Sequence, residues 1–334
     1  MTVVVVVMAV LAGGAYALKP LWQPWWYAAT ICGGSLSADD LADVLPHERL
    51  QAAEERMDPA LDRMSCGVNV DDDQFSLSVS VTTDTWKADR ELSRAFDTIL
   101  EPDFPFPAGI PGFKVGMGHY IVQACPDLPR DVDGREKHLL TKVMGFWNGR
   151  QGTPAALRIA VSAANSASKS TGCGADPLPL PRHPQIHPHP VALDKTAGTP
   201  CSWLDKTRLP RSPSGKPWQA VLRTDTHTPV TSCSLHDPGF GEDYADFGGW
   251  YGTWSHTSFA KGPLMSEGFG RATARCDGEA ANFHIRSSPS HGRTPMTGGD
   301  MRGLLIAFAR DQAQRHGCTD LALPGKDIHP ERSG

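Results

Sequence analysis

The chain has 334 residues, 40% of them hydrophobic and 21% charged, with a formal net charge of −5. That composition excludes a collagen, a coiled coil and a largely disordered tail, and its length fits about two domains of ordinary size. With 32 Lys and Arg against 37 Asp and Glu there is no basic field to capture nucleic acid, so no nucleic-acid partner is expected; 33 Gly and 28 Pro exclude an all-helical architecture.

From Thr2 to Leu18 no residue is charged, and Val3 to Leu11 is the most apolar stretch of the chain. Such a run, near the lower limit of about 17 residues for a membrane helix, reads as an N-terminal transmembrane anchor over residues 1–18. A cleaved signal peptide ending at Ala15-Tyr16-Ala17 is the alternative, and a buried strand or core helix is the third reading. Trp22, Trp25, Trp26 and Tyr27 then form an aromatic juxtamembrane segment, 19–29, of the kind that settles at a bilayer interface, which favours a retained anchor. No Lys or Arg precedes the run, so the positive-inside rule is not obeyed. Cys32 follows Ala29-Thr30-Ile31 instead of a lipobox and is not read as a lipidation site.

A first α+β domain is expected over 30–181. Ser37-Ala38-Asp39-Asp40 opens a short helix carrying Leu41, Val44 and Leu45 until Pro46 intervenes. Phe75, Leu77, Val79 and Val81 alternate with Ser76, Ser78, Ser80 and Thr82, which requires a half-buried strand with its polar face toward solvent. Arg90 to Leu100 reads as a surface helix, and Val115 to Cys125 and Leu139 to Phe146 as further strands. Pro154 to Ser170 reads as a long helix with Thr153 as its N-cap and Gly172 as its stop. The proline-rich stretch from Asp176 to Pro200 is read as finishing the first domain with an edge strand and then bridging as a Pro/His-rich linker, 182–199.

The second α+β domain is expected over 200–327, with a tail at 328–334. Its strand candidates are Gln219 to Arg223, Ala272 to Cys276 and Ala281 to Arg286; its long helix runs from Gly299 to His316 and closes at Gly317. Each domain therefore reads as a two-layer α+β unit, an antiparallel sheet packed by a long C-terminal helix.

Eight cysteines, at 32, 66, 125, 173, 201, 233, 276 and 318, all follow the apolar run, which is the pattern of a disulfide framework. Taken four at a time they repeat in order, and so do their surroundings: Ser65-Cys66 answers Ser232-Cys233, and Gly172-Cys173 answers Gly317-Cys318. The reading is a tandem duplication. The pairing expected within each copy is first with second and third with fourth: Cys32–Cys66, Cys125–Cys173, Cys201–Cys233 and Cys276–Cys318. The last of each set sits just past a long helix, where a bridge clamps that helix to the sheet.

The candidates for chemistry are sparse. His183, His187 and His189 lie in the proline-rich linker, where successive side chains point apart, so no metal site is expected. Asp71, Asp72 and Asp73 lack the Gly and Glu of a calcium loop and read as a charged turn. No G-x-S-x-G elbow, H-E-x-x-H or P-loop is present, no catalytic residue is assigned, and no cofactor is expected. Pairs such as His284 with Asp300 or His256 with Asp246 are coincidences that any chain with 13 His offers. The stretch Phe240 to Trp254, with Phe240, Tyr244, Trp250, Tyr251 and Trp254 among glycines and acids, resembles a contact loop for protein or sugar, though these rings equally suit a small-domain core.

The Ala/Gly/Pro/Asp/Arg-rich composition, exported N-terminus and helix–strand–helix units with cysteines near both ends resemble secreted or membrane-anchored proteins of high-GC actinobacteria, streptomycetes in particular, and the small α+β lipoprotein domains of that group. The missing lipobox departs from the latter. The resemblance implies a cell-surface location and carries over no catalytic residue. The expected function is a membrane-anchored extracellular binding or interaction protein, not an enzyme, whose partners are the membrane through its N-terminal helix and a protein or cell-wall ligand. The alternative is an envelope hydrolase with a site between the two domains.

Overall fold

The computed structural model describes residues 4–5, 7–8, 13–14, 16, 18–45, 50–58, 63–70, 75–98, 104–106, 109–145, 154–181, 190–222, 230–255, 265–266, 269–287 and 296–325. In chain order these form α1 (Lys19–Thr30), α2 (Ala38–Val44), β1 (Leu50–Asp58), β2 (Arg63–Val70), β3 (Phe75–Thr82), α3 (Thr85–Thr98), β4 (Phe104–Pro105), β5 (Gly112–Val115), β6 (Gly118–Ala124), β7 (His138–Gly145) and α4 (Pro154–Thr171). There follow β8 (Pro190–Ala192), β9 (Gln219–Leu222), β10 (Val230–Asp237), β11 (Glu242–Tyr251), β12 (Met265–Ser266), β13 (Phe269–Cys276), β14 (Glu279–Ser287), α5 (Gly298–Arg315) and β15 (Thr319–Ala322). The class is α+β, with two antiparallel sheets and four disulfides.

The strand order is β1-β2-β3-β7-β6-β5-β4 in one sheet and β12-β13-β14-β11-β10-β9-β8 in the other, with β15 paired to β13. Read from β1 and from β9, both sheets run through three consecutive antiparallel strands and then a returning hairpin whose second strand lies next to the third. By residue contacts the chain divides into two compact units, 1–88 with 116–185 and 89–115 with 186–334.

In the first unit, Val79 and Val81 of β3, Ile121 of β6 and Val143 of β7 are buried, and α4 packs on these strands. The helix closes on the sheet through small side chains, Ala155, Ala156, Ala160, Ala163, Ala164 and Ala167, all buried. Alanine also favours the helix intrinsically. Arg158 of α4 donates from Nε to Asp40 Oδ1 of α2 at 2.7 Å, tying the two helices together. Ser37 caps α2 by accepting from the Asp40 amide. In the second unit, Phe308 of α5 meets Phe247, Phe283 and Trp203 with ring centroids 5.6, 6.1 and 5.5 Å apart.

Both long helices stop in the same way. Gly172 and Gly317 adopt positive φ, and the amide of the following cysteine reaches back to Ser168 O at 3.0 Å and to Ala313 O at 2.8 Å. That is the Schellman arrangement, which needs glycine because its left-handed turn penalises a Cβ.

Several expectations are corrected. Residues 115–125 are not one strand: Gly116, at φ +54°, turns the chain between β5 and β6. Helix α3 begins at Thr85 instead of near Arg90, because the Asp84 carboxylate accepts from the Lys87 amide at 3.0 Å and caps it. Residues 174–181 form no strand, whereas β15 does at the corresponding place in the second unit. Pro177, Pro179 and Pro181 have no N–H to offer a ladder, and Asn165 holds the segment instead, accepting from Leu178 N at 2.8 Å and donating to Leu178 O at 3.0 Å. The predicted solvent-facing Ser78 and Ser80 are half-buried, and Thr82 is buried.

Among the described residues no helix is long and apolar enough to cross a membrane. Val3, Val6, Ala9, Val10 and Leu11 of the apolar run lie outside the described residues, as do Thr153, Asp71 to Asp73, His183, His187, His189 and His256.

Candidate functional site

All eight cysteines are bridged, Cys32–Cys66, Cys125–Cys173, Cys201–Cys233 and Cys276–Cys318, which is the expected pairing. Cys66 and Cys233 occupy the second of the three consecutive strands in their sheets. Cys125 and Cys276 stand at the end of the returning hairpin's first strand, and Cys173 and Cys318 follow the helix-ending glycines.

The aromatic stretch from Phe240 to Trp254 is a strand, β11, flanked by turns, and its alternation sends the rings to opposite faces of the sheet. Phe240, in the turn before it, is 45% exposed. Tyr244 is buried against Trp218, with centroids 5.2 Å apart, where a bulge opposite Leu235 and His236 turns it into the core. Tyr251 is half-buried; its hydroxyl lies 3.0 Å from Gln312 Oε1 and 3.3 Å from Thr231 Oγ1, and its ring lies over His316 at 3.9 Å. Burial pushes the Tyr251 hydroxyl well above its ordinary pKa and pulls the His316 imidazole below its own. Trp250 is fully buried and meets Phe113 of β5, in the same compact unit, edge-on at 5.3 Å. The backbone of Trp254 ends the stretch in a 3-10 turn, Gly252–Ser255, and its side chain lies outside the described residues.

The face of the second sheet that carries Trp250 holds a polar array that sequence reading missed. One rung of the ladder aligns Ser232, Gly248, His284 and Arg271 on β10, β11, β14 and β13, and the next aligns Ser234, Asp246, Arg286 and Phe269. Ser232, Ser234, His284 and Arg271 are buried. Ser234 Oγ donates to Asp246 Oδ1 at 2.6 Å, and burial draws the Arg271 guanidinium below its ordinary pKa. The signal was present in Asn282-Phe283-His284-Ile285-Arg286, a two-residue period with polar and apolar members exchanged along one strand. Only the register brings its partners together.

His284 decides what this array does chemically. Trp250 Nε1 donates to His284 Nδ1 at 3.3 Å. An indole nitrogen can only donate, so Nδ1 accepts and the neutral ring carries its proton on Nε2. The ring extends over Gly248, where a Cβ would collide with both Cε1 and Nε2. A serine–histidine base needs the opposite tautomer, with the distal nitrogen free to take the serine proton and a carboxylate on the other nitrogen. Asp300 offers none, because it lies in the first turn of α5, and that helix packs through Phe308 on Phe247 and Phe283, whose side chains alternate to the face opposite Gly248 and His284. Among the described residues no group of His, Cys, Asp and Glu is placed to hold a metal ion.

The first unit carries an open cavity of about 620 Å³ at the C-terminal end of α4. Asp127, Asn165, Ser166, Ser168 and Lys169 contribute to its lining, beside the Cys125–Cys173 bridge. It brings one carboxylate, one ammonium group and two serine hydroxyls to a ligand. No family model, curated protein or solved structure matches the chain.

Proposed function

We propose that this is an exported, membrane-anchored protein of the cell envelope, built from two duplicated disulfide-stapled units and acting by binding instead of catalysis. The observation that carries the reading is the complete pairing of eight cysteines into four bridges, each within one half of the chain. Such bridges persist in oxidising compartments and are reduced in the cytosol. The uncharged run before Lys19 supplies the means of export and of retention. The matching strand orders, bridge positions and helix stops support the duplication. The Trp250 indole occupies His284 Nδ1, which supports a structural role for that imidazole and agrees with a binding protein. The cavity beside Lys169 and Asp127 is the place we assign to a polar ligand.

Cell fractionation tests the location. The full-length chain is expected in the membrane fraction, degraded by protease added to intact spheroplasts. A chain recovered in the cytosol and protected from that protease overturns the reading.

A further inference from the structure

Helix α1 is amphipathic in an unusual sense, because its two faces are protein and something else. Gln23, Tyr27 and Ala28 are buried against the first unit. Tyr27 donates from its hydroxyl to Leu50 O at 2.6 Å, and the Leu50 amide donates back to Gln23 Oε1 at 3.0 Å, so the helix is fastened to the first residue of β1 by a reciprocal pair of bonds. Tyr27 therefore does not belong to the interfacial belt in which its sequence position placed it.

The opposite face follows helical spacing through Leu18, Leu21, Trp22, Trp25 and Trp26, with exposures of 55, 77, 41, 77 and 57%. No charged side chain interrupts it; Lys19 is off this stripe and half-buried. An exposed apolar patch of this size on a soluble surface marks an interaction site. Its chemistry and its place in the chain select the occupant. Three of the nine tryptophans stand on it, and tryptophan is the side chain that settles at headgroup depth. It also continues directly from the uncharged N-terminal run, to which it is joined by a helical bond from Leu18 N to Gly14 O at 3.0 Å.

We propose that the outward face of α1 lies in the lipid headgroup region and holds the first unit flush against the bilayer in one orientation, so that the unit does not swing on a flexible stalk. The inference rests on the anchor reading. It adds that the anchor ends in a rigid interfacial helix, fixed to the domain through Leu50.

The test uses the full-length chain reconstituted into phosphatidylcholine/phosphatidylglycerol vesicles whose acyl chains are brominated near the headgroup, with tryptophan emission as the readout. The expected result is loss of about a third of the emission, the share of three rings in nine, and its disappearance in the variant carrying Trp22→Ser, Trp25→Ser and Trp26→Ser. These side chains point away from the core, so an unchanged thermal midpoint checks that the variant is folded. Trp25→Ser alone is the milder second variant and should remove part of the quenching. If the chain floats with the vesicles but wild type and variants are quenched equally, the docked helix is overturned and the anchor stands. If the chain does not associate with vesicles at all, both fall. A dimer that the same substitutions dissolve, without bromolipid quenching, assigns the stripe to a second copy and also overturns the proposal.

Discussion

Gly248→Ala is the sharpest perturbation of the second sheet. The added methyl group would meet the His284 ring at Cε1 and Nε2, closer than real Cβ contacts allow. The ring is buried and held at one edge, where the Trp250 indole donates to its Nδ1, and its ring neighbours Trp250 and Phe269 lie at centroid distances of 6.4 and 6.2 Å. Overpacking a well-filled site costs about 1–3 kcal/mol, and because the ring must shift and loosen its bond at Nδ1 we expect about 2 kcal/mol, or about 4–8 °C in thermal midpoint for a domain of this size. His284→Ala alone should cost a similar amount, because it leaves a cavity and a buried indole N–H without its acceptor. In the double variant the methyl group added at position 248 occupies space the imidazole has left, so the two costs should not add; a coupling of about 1–2 kcal/mol is expected. Urea denaturation followed by tryptophan emission and by circular dichroism measures all three variants. A single Gly248→Ala change that leaves the midpoint unmoved, or a double variant whose loss equals the sum of the singles, refutes the claim that the histidine lies across that glycine.

Asn165→Ala should cost about 1–3 kcal/mol by leaving the Leu178 amide and carbonyl without their partner, and should open 174–181 to limited proteolysis while α4 stays protected; unchanged cleavage there speaks against the amide clamp. Tyr27→Phe removes only the hydroxyl bonded to Leu50 O and should lower stability by about 1–2 kcal/mol, measured as a shift in urea midpoint, with no shift meaning that α1 is not fastened there. Acid should act in two stages. Burial favours the neutral His316 imidazole, so its folded pKa lies below the unfolded value of about 6.5 and stability declines as pH drops below that value. Burial raises the Asp237 pKa, but hydrogen bonds from Ser214, Gly239 and Ser212 outweigh it and hold the pKa below the ordinary carboxylate value. Its stabilisation is present above about pH 4 and is lost as pH falls through the lowered value. His316→Gln should remove the first stage from the pH dependence of the thermal midpoint, measured from pH 8 to 3, and leave the second.

What could be read from the sequence was what local chemistry determines. Ser37 before Leu41, Gly172 and Gly317 after their helices, and the serine–valine alternation of β3 each act within a few residues, and the cysteine order was enough to choose the pairing. Strand β1 was hidden because Gln51-Ala52-Ala53-Glu54-Glu55-Arg56 is made of helix formers; its pairing with β2, not propensity, makes it a strand. Strand β10 was hidden for another reason. All its residues from Val230 to Asp237 are buried, so its serines, threonine, histidine and aspartate show no polar-out alternation. The rung of Ser232, Gly248, His284 and Arg271 draws on four strands, and no spacing rule within one chain segment predicts such a register. The aromatics of β11 looked like a recognition loop because aromatics with glycine serve both purposes; Gly248 is there to admit an imidazole, not to bend a loop.

The central claim, an exported protein stapled within each half, is tested most directly by the redox state of the chain in the cell. Thiols are blocked by alkylation at the moment of lysis, the full-length chain is isolated from the membrane fraction, and its non-reduced peptides are mapped. The account predicts no alkylated cysteine and four linked peptides joining Cys32 to Cys66, Cys125 to Cys173, Cys201 to Cys233 and Cys276 to Cys318. Recovery of alkylated cysteines, or of a peptide linking a cysteine before residue 174 to one after residue 200, would contradict it.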